Sequence, residues 1–490
     1  MNKNKIYTFL LLAFISLSIV SCKKEKVNKE DNFSKEALSV NKFILDYMGY
    51  YYMWTDKIPA DLNPKSTENS KAFFDNVIYE GTSATYDEEI KANRDGDRWS
   101  FITDDLQGLL DYFNGVRTTA GYMPYAYLIE EGSDKLALVV KYVYDNSPAS
   151  EAGLTRGTVI MKIDGKDLTN ENVNELFGKE SYVITLGEFD VNDKKFILTD
   201  KTKTITKREI HTNPIIKSEI YEINGIKIAY LLYKSFIHDY DDELIAEFQK
   251  YKDAGVTELV LDFRYNGGGA VSSALNISSM IAPQGAIGSV FLKKQYNAKL
   301  QQGFINDPNY GKDFLEDNLS KTAYGYSDDG GIEGTTLPNL DLSRVYVLGL
   351  RGTASASELV INGLKPYMNV VTVGGTTHGK YTASTTFINK EYENWAIQPI
   401  IFKSANANDE TDYWNGFEAI LPIGDYPLNG DFGFDVSTMT GEPMLATAIK
   451  DITGASSIAK QKEVETMIFK GVEIKDVNSI LNTTMVYDIK

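Results

Sequence analysis

Val345-Tyr346-Val347-Leu348-Gly349-Leu350-Arg351-Gly352-Thr353-Ala354-Ser355-Ala356-Ser357-Glu358-Leu359-Val360 is the stretch on which the fold turns. It opens as a near-continuous apolar run, the signature of a strand buried on both faces of a parallel sheet. The run breaks between Gly349 and Gly352, small residues follow, and an apolar-periodic helix starts near Ser357. The same form recurs outward. Ile226–Leu231 reads as a strand, and Asp241–Ala254 as a helix with acids in its first turn and Gly255 just past its end. Glu258–Phe263 and Val370–Val373 are further buried strands. Strand and helix alternate from about residue 201 to 446, which predicts a layered α/β domain.

The flanks differ in character. Val40, Phe43, Ile44, Tyr47, Met48 and Tyr51 recur at three-and-four spacing within Glu36–Trp54, and Ser70–Tyr79 is a second helical stretch, so residues 36–105 are expected to form a helical domain. Residues 106–200 are β-rich: Leu136–Val140 and Val159–Ile163 are strand-like and bounded by turn residues. Between them Ser147-Pro148-Ala149-Ser150-Glu151-Ala152-Gly153-Leu154 predicts a short helix with Pro148 at its start and Gly153 closing it. Residues 447–490 read as a terminal helical appendage.

Composition bounds the chemistry. The chain has 490 residues and a formal net charge of −18, which disfavours nucleic acid as a partner because phosphate binding needs a basic face. One cysteine excludes an intrachain disulfide framework, a four-cysteine zinc site and a CxxC redox pair. Three histidines leave little material for a His-rich metal centre, and neither metal nor cofactor is expected. Lys3 and Lys5 precede an uncharged, mostly apolar run from Tyr7 to Ser21, which is short for a membrane span and suits a signal peptide over 1–21. The run ends Ile19-Val20-Ser21-Cys22, which resembles the bacterial lipobox, although Val20 is bulkier than the usual residue there. That resemblance implies lipidation at Cys22, a polar tether over 22–35, and a chain held on a membrane of the cell envelope. An ordinary signal peptide with a chance cysteine is the plainer alternative.

Three junctions carry candidate chemistry. Asp262-Phe263-Arg264-Tyr265-Asn266-Gly267-Gly268-Gly269 is a strand ending in glycines, which let a ligand oxygen approach bare N–H groups. Alone it is as readily a tight turn, and it lacks nucleotide-loop spacing. In the second, quoted above, a serine at a helix N-terminus lies where orphan N–H groups favour developing negative charge. On that segment alone, plain N-capping explains the hydroxyls, and Glu358 reads as a first-turn helix charge. The third is Val373-Gly374-Gly375-Thr376-Thr377-His378-Gly379-Lys380-Tyr381, with Lys380 standing 25 positions after Ser355.

Taken in order, these motifs resemble the carboxyl-terminal processing protease family of serine peptidases. Ser147–Leu154 with Gly157 and Asp164-Gly165 is similar to the PDZ module that precedes the catalytic core in that family, with Thr158 replacing the usual aspartate. The resemblance implies a multidomain α/β fold: a crotonase-like core, a PDZ domain over 106–200 that binds extended peptides by strand addition, and the helical domain before it. The carboxylate-binding loop is expected near Asn114–Met123, and a small β-rich domain without a ligand is the alternative. The amino-terminal helical region and the lipobox are also similar to the Bacteroidetes-type version of the family.

What the resemblance implies for the site is a serine–lysine dyad, with Ser355 as nucleophile and Lys380 as base. Serine needs a base within hydrogen-bond reach, and lysine serves only when burial keeps it neutral. The oxyanion would be held by the backbone N–H groups of Gly268 and Ala356. Several family members carry a glutamine four positions after the lysine, where this chain has Ser384, and Pro366 stands where some have an acid. Ser384 itself is therefore a candidate for orienting Lys380. His378 and His238, the latter three residues beyond Ser235, are candidates for a histidine-assisted site. The expected function is an exported, lipid-anchored serine endopeptidase acting on unfolded or carboxyl-terminal polypeptide segments. A non-catalytic peptide-binding lipoprotein on the same fold is the competing expectation. An acyl-CoA enzyme is disfavoured by the PDZ-like segment.

Overall fold

The structure, a computed structural model, describes residues 33–88, 92–130, 132–325, 332–455 and 485–486. Cys22, the expected signal segment, most of the tether and most of the expected appendage lie outside the described residues. Helix α1 (Lys35–Tyr51) begins where Ser34 Oγ accepts the Ala37 N–H at 3.2 Å. The last residues assigned to the tether are thus a helix cap and the start of a helical turn. α2 (Ser70–Asp75) is shorter than its apolar pattern suggests. Val40, Ile44, Met48 and Tyr52 of the first segment bury against Phe73, Phe74 and Val77 of the second. Strand β1 (Phe101–Thr103) closes this domain. Among the described residues, no helix is long and apolar enough to cross a membrane.

The β-rich unit holds β2 (Tyr122–Leu128), β3 (Lys135–Val143), β4 (Val159–Ile163), β5 (Lys166–Thr169), β6 (Ser181–Asp190) and β7 (Lys195–Thr206), in the order β7-β6-β4-β5-β3-β2. The short helix Pro148–Glu151 is capped by Ser147 in a reciprocal box with Ser150. β7 runs past the expected boundary at residue 200. After an irregularity its Thr202–Thr206 stretch resumes antiparallel pairing with Ser181–Thr185, and Ile205 is buried in the unit's core.

The core domain opens with β8 (Ile215–Ile223) and β9 (Ile226–Tyr233), followed by α3 (Asp241–Ala254) and β10 (Glu258–Asp262). Next come β11 (Gly269–Ala270), α4 (Val271–Ile281), β12 (Val290–Tyr296) and β13 (Glu316–Asn318). β14 (Arg344–Gly349) leads into α5 (Ala356–Leu364) and β15 (Asn369–Gly374), then β16 (Thr382–Ser384), β17 (Ala396–Gln398) and β18 (Ile400–Ala405). β19 (Leu421–Pro422), α6 (Pro443–Thr453) and β20 (Met485–Val486) complete the described elements used below.

The main sheet runs β8-β9-β10-β14-β15-β19, antiparallel in its first pair and parallel thereafter. Both faces are buried, so its strands alternate between two cores: Leu259, Leu261, Val345 and Val347 face α3, α4 and α5, while Val260, Tyr346 and Leu348 face α6. α6 straddles the boundary placed at 446. Met444, Leu445, Ala448, Ile449 and Ile452 recur at helical spacing and bury against the sheet, so this helix is a layer of the core rather than an appendage. A second sheet runs β11-β20-β16-β18-β12-β13, with β20 lying parallel between the strand after the glycine run and the strand after Lys380.

Contacts between the domains include a strand pair and a buried ion cluster. β1 pairs antiparallel with β17, Phe101 opposite Gln398, so the amino-terminal domain ends inside the core. Arg156 of the β-rich unit is buried against Asp425 and donates to the Tyr265 hydroxyl at 2.8 Å. Next to it Arg264 grips both Glu442 oxygens, at 2.6 and 2.7 Å, and Asp262 at 2.9 Å. Charges taken out of water persist only when paired in this way.

Candidate active site

Ser355 is the residue immediately before α5, and its backbone is held at φ 64°, ψ −115°. A side chain at positive φ is strained by order 1–3 kcal/mol and survives only where its surroundings fix it. The side chain is fully buried, and its Oγ has no hydrogen-bond partner. The hydroxyl is therefore not spent on capping the helix. The cap is supplied the other way: the Glu358 carboxylate accepts the Ser355 N–H at 3.0 Å.

Glu358 does more than cap. It is completely buried, and besides Ser355 it accepts from Thr377 Oγ1 and the Gly379 N–H, both at 2.6 Å, and from the Lys380 N–H at 2.8 Å. One side chain thus pins the serine turn to the lysine loop. Burial pushes its carboxyl up to about 7, while the four donors favour the ionised acceptor. Gly379 has φ 95°, and a Cβ there would collide with the Trp414 carbonyl, so only glycine lets the chain reach Lys380 by this path.

Lys380 is 1% exposed, and burial pulls its amine down to about 7. Asp97 and Glu358 act in the opposite direction, and Arg98 adds to the lowering. The amine lies 5.5 Å from the centre of the Trp99 ring. A lysine in this condition releases its proton near neutrality and can serve as a base.

The glycine run meets the serine turn through Asn266. Its side chain donates to the Tyr233 carbonyl at 2.9 Å and accepts the Gly268 N–H at 2.9 Å. Its carbonyl accepts from Ser357 Oγ at 3.0 Å and from the Ala354 N–H at 3.1 Å. Gly269, at φ 138°, lies so close to Phe236 that a Cβ would strike the Phe236 carbonyl. Ala356 opens α5, where helix N–H groups lack intrahelical acceptors. Gly268 and Ala356 are thus neighbours of one hub, with the Gly268 N–H held by Asn266.

The remaining candidates fall at different distances from this centre. Ser384 is buried on β16 and accepts from Gln398 Nε2 at 3.1 Å, so a glutamine side chain reaches this position from β17. His378 is half-buried, and its N–H donates to the Thr353 carbonyl at 2.9 Å. Burial, with Arg351, Arg98 and Lys380 nearby, holds its ring down to about 4, which leaves it neutral and weakly basic at pH 7. His238 stands in the turn after β9 with Nδ1 3.3 Å from Asp239. Ser235 Oγ donates to the Gly268 carbonyl at 3.2 Å.

Peptidase family S41 matches residues 227–411, and the Peptidase S41 N-terminal domain matches residues 39–101. Curated proteins named as CtpA-like serine proteases are similar. That of Staphylococcus aureus strain COL is 28% identical over 244 residues, 49% of this chain and 41% of the relative. That of Staphylococcus saprophyticus is 26% identical over 255 residues, 51% of this chain and 43% of the relative. The matched region therefore spans about four-tenths of the length of those relatives. A crystal structure from Bacteroides fragilis NCTC 9343, assigned to the S41 proteases, shares the fold with a TM-score of 0.65 at 24% identity, covering 85% of this chain and 98% of that one. The two S41 regions take in both the segment around Asp97 and the Ser355, Glu358 and Lys380 constellation, and the chain belongs to peptidase family S41.

Proposed function

We propose that this chain is a serine endopeptidase that opens peptide bonds with Ser355 and Lys380. The observation that carries the reading is the shared anchoring of a strained, unpartnered serine hydroxyl and a buried near-neutral lysine on the Glu358 carboxylate. In this mechanism neutral Lys380 takes the proton from Ser355 Oγ as the oxygen attacks the scissile carbonyl. The tetrahedral oxyanion is received by the N–H groups of Ala356 and Gly268, the latter given up by Asn266 as it turns to the substrate. One such donor is worth roughly 3 kcal/mol in the transition state. The lysine ammonium then protonates the leaving amine, and water, deprotonated by the same amine, releases the acyl group from Ser355.

The β-rich unit is read as a PDZ domain that delivers extended polypeptide segments by strand addition. Lipidation at Cys22 is read as the anchor to the cell envelope. Ser384, backed by Gln398, keeps its candidacy as a group orienting the lysine. Hydrolysis of an unstructured reporter polypeptide tests the dyad: Ser355→Ala and Lys380→Ala abolish cleavage, and full activity in either overturns the assignment. A change in envelope fractionation and in the mass of the amino-terminal peptide in Cys22→Ala tests the anchor.

A further inference from the structure

The amino-terminal domain meets the lysine through the segment Asp97–Phe101. Asp97 is 8% exposed. Its Oδ1 accepts the N–H groups of Trp99 at 2.9 Å and Ser100 at 3.0 Å, and its own N–H donates to the Tyr79 carbonyl at 2.7 Å. Oδ2 is buried, and the Tyr52 hydroxyl donates a hydrogen bond to this carboxylate. A buried carboxylate remains unfavourable unless donors and a nearby positive charge compensate it.

The segment that carries this oxygen is fixed against the strands beyond Lys380. Ser100 Oγ accepts the Ile400 N–H at 2.8 Å, and Phe101 pairs with Gln398. The Trp99 ring, two residues after Asp97, lies 5.5 Å from the Lys380 amine. The charged groups acting on that amine are Asp97 and Arg98 from this segment and Glu358 from α5, and the neutral ring of His378 lies on the amine's own loop. Asp97 and Glu358 both favour the charged amine, and the Glu358 oxygens already accept from four donors. Tyr52 also lies beside Asp97.

We propose that Asp97 is a positioning residue for Lys380: its buried carboxylate, delivered across the domain boundary and steadied by Tyr52, stabilises the charged form of the amine. The amino-terminal domain is thereby a component of the active site. Arg98 opposes Asp97 from the next position, so adjacent residues of one segment set the proton affinity of the base in opposite directions. The inference rests on the proposed role of Lys380 as base.

The experiment is the pH dependence of kcat/KM for a reporter peptide with the full chain. Asp97→Asn keeps an oxygen for the Trp99 and Ser100 N–H groups and removes only the charge. Without that charge the ammonium is less favoured, so the acidic limb moves to lower pH by about half a unit or more, and kcat falls with KM little changed. Arg98→Gln moves the limb to higher pH, a pair of opposite shifts that general loosening of the fold does not produce. If Asp97→Asn does not fold, Asp97→Ser, whose hydroxyl keeps the turn capped, takes its place. An acidic limb unmoved in the folded Asp97 variant, with Lys380→Ala inactive, overturns the inference alone. Activity retained in Lys380→Ala overturns the dyad on which it rests.

Discussion

The backbone N–H groups of Ser355 and Lys380 meet on one atom, Oε2 of Glu358, at 3.0 and 2.8 Å. Residues far apart in sequence are thereby held in one frame, independent of whatever their side chains do during turnover. The serine hydroxyl stays uncommitted because the carboxylate does the capping, and the lysine stays near neutrality because the frame is dry.

Glu358→Gln is expected to break that frame. An amide offers one acceptor oxygen, so its NH2 must face at least one of the donors now bound by the second carboxylate oxygen. A buried donor left unsatisfied costs about 1–3 kcal/mol. Denaturant unfolding should show a loss of that order, and kcat for a reporter peptide should fall by about a hundredfold or more. Wild-type kcat in this variant would show that the frame is not needed.

Lys380 should leave its mark on stability as well as on rate. Its amine is held at about 7 in the fold, against 10.5 for an ordinary lysine. Between those values the unfolded chain binds a proton that the folded chain has released, so the native state gains stability as pH rises across that window. Lys380→Met removes the effect. The stability of the Met variant relative to wild type should therefore increase by about 1.4 kcal/mol for each unit of pH lowered from 10 towards 7, then level off. Parallel stability–pH curves would contradict a neutral buried lysine.

Asn266→Ala removes the side chain that receives the Gly268 N–H and reaches the Tyr233 carbonyl. Stability should fall by about 1–3 kcal/mol. Because the glycine run loses its brace while the peptide-binding surfaces are untouched, the kinetic loss should appear in kcat and not in KM. A change confined to KM would place Asn266 in substrate binding instead.

Much of this was legible in the chain itself. The apolar runs Glu258–Phe263 and Val345–Leu348 are central strands, and the Asp241–Ala254 helix has the bounds its acids and Gly255 announce. The residues that assemble the site were less legible. Glu358 looks like any first-turn helix acid, because three of its four donors lie 19, 21 and 22 residues away in a separate loop. Asp97 lies near the end of the segment 36–105 assigned to the helical domain, and its significance depends on β1 pairing with β17, a contact local periodicity cannot announce. Gln398 likewise reaches Ser384 only through strand neighbours. The stability of α6 within the core was hidden by its position beside a segment of polar character.

The most direct measurement is covalent labelling with a fluorophosphonate probe, located by tandem mass spectrometry and followed against pH. The account predicts a single adduct on Ser355, formed at a rate that rises through about pH 7 and drops at least about a hundredfold in Lys380→Ala. An adduct at another residue, or labelling of Ser355 at the wild-type rate without Lys380, would contradict it.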